Sequence, residues 1–148
     1  TDIKLIEKSY LYFFFLLISN SNGDSIQNYS LEIEIPNIKE NGNIYIAIYN
    51  NAKDFNSGDI SQETMAYNII EPVSKGIYVK KILLEKGSYG IKVLVDVNGN
   101  GEMDFNFFGL PKEQYGFSNN VIGLLGEPKF DKAFIEINDN KKTVILLR

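Results

Sequence analysis

The sequence predicts an all-β fold: a single antiparallel β-sandwich of about seven short strands, immunoglobulin-like or transthyretin-like in topology. Three observations carry the prediction. Apolar residues recur with a period of two rather than 3.6, as in Tyr29, Leu31, Ile33 and Ile35 of YSLEIEI. Glycine- and asparagine-rich turn signals separate the apolar runs at short intervals. No segment repeats the i, i+3, i+4 spacing of an amphipathic helix. A chain of 148 residues, 44% apolar, fits one domain that buries about two-thirds of the surface its unfolded form exposes. A small closed barrel is the alternative, since periodicity does not distinguish closure from sandwiching.

The start reads as a targeting segment. Lys4 and Lys8 precede an uncharged run over residues 10–18, and Ser19-Asn20-Ser21 follow. This is the layout of a secretory signal. The run is too short to span a bilayer as a helix. The competing reading is a buried first strand or helix. The expectation is an export segment over 1–21 and one domain over 22–148, placed in the periplasm, at the cell surface or outside the cell, with no transmembrane span in the mature form.

In the strand over 29–35 the polar face is Ser30, Glu32 and Glu34. Asn41-Gly42 reads as a turn. In NIYIAIY both faces are apolar, Ile44, Ile46 and Ile48 against Tyr45, Ala47 and Tyr49, which predicts a central strand. Residues 50–64 are polar and turn-rich, a loop with room for one helical turn. Further strands are predicted over 66–71, 77–84 and 89–95, the last two joined as a hairpin through Glu85-Lys86-Gly87-Ser88. After an irregular stretch come strands over 133–137 and 143–147, joined across Asn138-Asp139-Asn140.

Composition excludes several functions. Histidine is absent, which removes the commonest general base, the Ser–His–Asp arrangement and imidazole metal ligands. Cysteine is absent, which removes thiol nucleophiles, disulfides and thiolate zinc sites. Any metal must then be a hard cation held by oxygen, calcium or magnesium first. A net charge of −4 with scattered lysines leaves no basic stripe for nucleic acid.

The chemically specific feature follows the strand YGIKVLV: Asp96-Val97-Asn98-Gly99-Asn100-Gly101-Glu102-Met103-Asp104. Oxygen-bearing side chains stand at loop positions 1, 3, 5 and 9, with glycine at position 6. Such spacing lets a chain wrap a calcium ion, the glycine taking the sharp turn. The expected ligands are Asp96, Asn98, Asn100 and Asp104 by side chain and Glu102 by its backbone carbonyl, with Glu113 a possible remote carboxylate. Position 12 is Phe107, where an EF-hand supplies a bidentate glutamate, and the preceding segment reads as strand. The loop therefore resembles the variant loops of dockerins and thrombospondin type 3 repeats. Two sure anionic ligands imply a calcium dissociation constant on the order of 10⁻⁴–10⁻³ M. The competing reading is an ordinary Asn-Gly turn.

Gly87 to Asn120, GSYGIKVLVDVNGNGEMDFNFFGLPKEQYGFSNN, resembles the signature of the bacterial domain of unknown function 2141: a G-x-Y strand, the D-x-N-x-N-G-x-x-D loop, then G-x-P-x-E-x-Y-G-F-S-N-N. Gly126-Glu127-Pro128-Lys129-Phe130, followed by Ala133-Phe134, resembles its close. The resemblance implies an exported, predominantly β bacterial domain with no assigned activity. Members often carry histidine where this chain has Val95, so a role resting on that side chain is not expected here.

Phe105, Phe107, Phe108, Tyr115 and Phe117 are expected to pack in the core beneath the loop, because large apolar rings mostly bury. Tyr115 to Asn120 offers hydroxyl and amide groups suited to a protein or carbohydrate partner, or to the loop's own turns. Asp104 and Glu113 are the candidate pair for carboxylate-based hydrolysis, the minor reading. The expectation is a non-catalytic exported module in which calcium rigidifies residues 96–104 and presents a recognition surface. Its rival is a purely structural accessory domain.

Overall fold

The computed structural model describes residues 25–148, so the export segment expected over 1–21 lies outside the described residues. Eight strands form: β1 (Asn28–Ile38), β2 (Gly42–Tyr49), β3 (Tyr67–Val73), β4 (Gly76–Glu85), β5 (Gly87–Asp96), β6 (Gln114–Phe117), β7 (Ile135–Ile137) and β8 (Lys141–Val144). Two short α-helices accompany them, α1 (Ala52–Ser57) and α2 (Phe130–Ala133), with single 3-10 turns over Gln62–Thr64 and Ser118–Asn120. One sheet has the order β4-β1-β8 and the other β3-β2-β5-β6, with β7 paired to the start of β5. The all-β sandwich is as predicted.

Three connections differ from expectation. β4 and β5 are not a hairpin, because β4 pairs with β1 and β5 with β2, so the Glu85–Gly87 turn carries the chain between sheets. β7 and β8 likewise belong to different sheets, and β8 runs parallel to β1, the one parallel pair among these strands. The strand expected over 133–137 begins only at Ile135, since residues 130–133 make the turn of α2.

Alternation explains the core. Leu31, Ile33 and Ile35 of β1 are buried with Ile44, Ile46 and Ile48 of β2 and Ile91, Val93 and Val95 of β5. Each such side chain contributes on the order of 1.5–3 kcal/mol relative to exposure. On the outer face of β1, Glu32 lies 3.7 Å from Lys81 of β4 and 3.6 Å from Lys142 of β8. β2 is central, between β3 and β5.

The second apolar face of β2 has its own cover. Tyr49 packs edge-on against Phe55 of α1 at 5.7 Å, and Phe55 against Phe130 of α2 at the same separation. Gly90 makes this possible: a Cβ there would stand 2.7 Å from the Phe55 ring. Asn51 caps α1, its side chain accepting from Asp54 N at 2.9 Å.

The C-terminal residues close one side of the sandwich. Ile145 N donates to Glu34 O at 2.9 Å, and Arg148 and Tyr115 exchange backbone bonds at 2.9 and 3.3 Å. Residues 145–148 thus run from β1 to β6, with Asn37 bonded both ways to Leu147. Among the described residues no helix is long and apolar enough to cross a membrane.

Candidate functional site

The loop over 96–104 leaves the end of β5 at Asp96, a fully buried carboxylate. One of its oxygens accepts from Gly99 N and the other from Gly101 N, both at 2.7 Å. Gly99 and Gly101 carry φ of 77° and 76°, the left-handed conformation expected of loop position 6 and found at position 4 as well. Gly42, read from sequence as a turn residue, also serves this site. A Cβ on Gly42 would lie 2.3 Å from the Asp96 carbonyl oxygen, so the loop sits directly on the start of β2.

Asn98, Asn100 and Asp104 come together above Asp96. Both Asn98 and Asn100 donate their side-chain amides to the Asp104 carboxylate, Asn100 at 3.2 Å to each oxygen. Their amide oxygens accept from Asn100 N at 3.1 Å and Glu102 N at 2.9 Å. The three side chains thus meet with the amide N–H groups of Asn98 and Asn100, not their oxygens, turned toward the Asp104 carboxylate. Asp96 is committed to the backbone of its own loop, and the Glu102 side chain is exposed. No group of three or more acidic side chains converges on a metal position among the described residues.

Glu113 is the remote carboxylate, and it is nearly buried. It accepts from Val97 N at 2.9 Å and Asp104 N at 3.3 Å, clamping both ends of the loop from the start of β6. Among the described residues every buried side-chain polar atom has a partner.

Residues 105–111 form a prong, which corrects the expectation that these rings pack beneath the loop. Phe107 and Phe108 are 96% and 82% exposed, Phe105 and Leu110 58% and 60%; only Phe117 of the group is buried, with Tyr115 packed beside it. Asn106 holds the turn: its side-chain oxygen accepts from Phe108 N and Leu110 N at 2.9 and 3.0 Å. Asn106 N donates to Leu110 O, and Gly109 N donates to Asn106 O, each at 2.9 Å. Phe105 and Pro111 bridge across its base. The Asn-x-x-Gly spacing, a known turn former, was the readable signal for this device.

At the base of the prong opens a cleft of about 230 Å³ whose charged lining is Lys39, Lys112, Arg148, Glu40 and Glu113. The three cations are in no ion pair among the described residues. Pro111 and Lys112 belong to both prong and cleft.

Residues 118–120 do structural work. Ser118 is fully buried; its hydroxyl accepts from Ile91 N at 2.9 Å and donates to Ala133 O at 2.5 Å. Asn119 and Asn120 adopt positive φ of 58° and 52°. Asn119 donates to Phe134 O at 2.8 Å, and Asn120 pairs with Val144 O and Leu146 N at 3.0 and 2.7 Å. The side chains of Ser118, Asn119 and Asn120 are thus bonded to neighbouring elements of the fold, Ser118 in the interior and Asn119 at the exposed surface.

No curated protein and no solved structure matches the chain. A family model does, over residues 33–145, spanning both sheets, the loop, the prong and Ser118 to Asn120. The chain belongs to the DUF2141 family, described as uncharacterized protein conserved in bacteria.

Proposed function

We propose that this chain is an exported, non-catalytic binding module whose loop over 96–104 takes calcium and so fixes a recognition surface beside it. The observation that carries the reading is the meeting of Asn98, Asn100 and Asp104 on a loop whose ends are clamped by Asp96 and Glu113. Glu102 lends its carbonyl in the same reading. The exposed surface nearest the loop is the prong, so recognition of the partner is assigned there rather than to Tyr115 to Asn120. A hydrolytic role is disfavoured, since Glu113 spends both oxygens on backbone N–H groups.

The rival reading is a purely structural accessory domain. It is favoured by Asp96 and Glu113 satisfying the loop without an ion. Thermal melting of the full chain in chelator, calcium and magnesium separates the two. At about 10 mM calcium, a dissociation constant of roughly 0.1–1 mM adds about 1.4–2.7 kcal/mol. That corresponds to a rise of ~4–10 °C in a domain of this size. Equal melting temperatures in all three solutions would refute calcium binding.

A further inference from the structure

The prong poses a physical question. Phe107 and Phe108 are held almost wholly in water by a turn that ties them there. A flexible loop would fold such rings back on the surface, whereas Asn106 and the Phe105–Pro111 bridge prevent it. An apolar tip on a fixed stalk marks a contact site.

Three features select the occupant. First, the tip is convex, so it enters its partner rather than receiving it. Second, four of the five amides over 106–110 are satisfied within the prong: Asn106 N, Phe108 N, Gly109 N and Leu110 N have partners there. Amides already paired can enter the interfacial layer of a bilayer without the cost of stripping water from them, while Phe107 N–H stays within reach of headgroup oxygens and water. Third, the cleft at the base brings Lys39, Lys112 and Arg148 together against Glu40 and a Glu113 already engaged by backbone amides. Apolar tip above, cations below, is complementary to a bilayer bearing anionic headgroups. A sugar ring is a poorer fit, because the Phe107 and Phe108 rings stand at 85° to each other and form no flat platform.

We propose that residues 105–111 and the Lys39–Lys112–Arg148 cleft are a docking surface for anionic lipid bilayers: Phe107, Phe108 and Leu110 enter the interface and the cleft receives a phosphate headgroup. The inference rests on the reading of the chain as a binding module and names the partner of that module. It does not require calcium. Glu102 and Asp104 lie beside the prong, so a bound cation would strengthen the contact by offsetting their charge.

The chain has no tryptophan, so Phe108→Trp introduces a single tryptophan, at the tip, that can be excited apart from the tyrosines. The full chain is mixed with vesicles of phosphatidylcholine, with and without phosphatidylglycerol, in chelator and in calcium. On phosphatidylglycerol vesicles the tryptophan emission should shift to the blue and be quenched by lipids brominated in their acyl chains. Phe107→Ser/Phe108→Ser should lower partitioning roughly 100-fold, with an unchanged melting temperature showing that the fold persists. Lys39→Gln and Lys112→Gln should each lower it about fivefold, on anionic vesicles only. Unshifted emission on vesicles that nevertheless carry the protein down would overturn the proposal, because the attachment would then lie outside the prong. So would a concentration-dependent dimer in ultracentrifugation that the double serine variant abolishes. A blue shift equal in chelator and calcium supports the docking surface and leaves the calcium reading to the melting experiment alone.

Discussion

The loop over 96–104 and the tripeptide Ser118-Asn119-Asn120 look alike in sequence, short polar stretches rich in asparagine, yet the fold uses them in opposite ways. In the loop nearly every side-chain bond closes over two to six residues: Asp96 to Gly99 and Gly101, Asn98 to Asn100 and Asp104. In the tripeptide the bonds reach 13 to 27 residues away, to β5, the end of α2 and the C-terminal segment. A motif that bonds to itself shapes a loop and leaves the rest of the fold indifferent to it. A motif that bonds at long range fastens separate elements. Glu113 is the exception at the loop end, tying Val97 from 16 residues away.

The largest effect expected from this contrast is at Ser118. Ser118→Ala removes both bonds of a fully buried hydroxyl and leaves Ile91 N–H and Ala133 C=O without that partner. The loss should be about 2–4 kcal/mol in urea denaturation, because buried unpaired groups carry their full desolvation cost. The proposed calcium-dependent rise in melting temperature should survive. A loss below about 0.5 kcal/mol would put Ser118 on a par with a surface turn and erase the distinction.

Asp104→Asn is the complementary change at the loop end. Its partners are the exposed amides of Asn98 and Asn100, so stability in chelator should move by no more than ~0.5 kcal/mol. In calcium the variant should lose most of the proposed 1.4–2.7 kcal/mol gain, roughly what one of two anionic ligands supplies. A full calcium response from this variant would move the ion away from Asp104 and leave the self-bonded loop as a turn.

The sequence made the long strands legible because burial imposes alternation on them, and Leu31, Ile33, Ile35 and Ile44 to Ile48 sit where period two puts them. It made β6 illegible: Gln114 to Phe117 is only four residues, and Gly116 interrupts the pattern because the C-terminal segment packs against it, a Cβ there lying 3.0 Å from Ile145 and Leu147. Partner choice was also hidden. The turn after β4 signals a reversal of direction, but whether the next strand joins the same sheet depends on which apolar faces meet across the core. The loop's oxygen spacing and Gly101 conformation were readable because both are local. Glu113 and Gly42 owe their roles to contacts across the fold, Gly42 through the close approach of Asp96. The prong escaped because ring burial is a statistical tendency, and here Asn106 overrides it.

The smallest expected effect tests the same contrast with pH. Glu71 of β3 accepts from the Tyr78 hydroxyl and from Lys80 of β4, the latter at 2.9 and 3.1 Å, across the Ser74-Lys75 turn that joins the two strands. The Tyr78 hydrogen bond first, then Lys80, holds the Glu71 carboxyl below its usual value of 4.5, and burial pushes the Tyr78 hydroxyl well above the ordinary phenol range. A carboxyl lowered in the folded state favours folding above its unfolded pKa, and that contribution is lost as pH falls through the folded value. Glu71 is partly open to water, so screening limits the contribution to about 0.5 kcal/mol or less. Between about pH 6 and pH 3, the native chain should therefore lose a few tenths of a kcal/mol more than Glu71→Gln in urea unfolding. Ser118 carries no charge at either pH, so the penalty of Ser118→Ala should stay constant across the same range. If Glu71→Gln and the native chain instead fell in parallel, the Glu71 tie would be only a crossing of side chains, and the fastening of β3 to β4 would rest on their sheets alone.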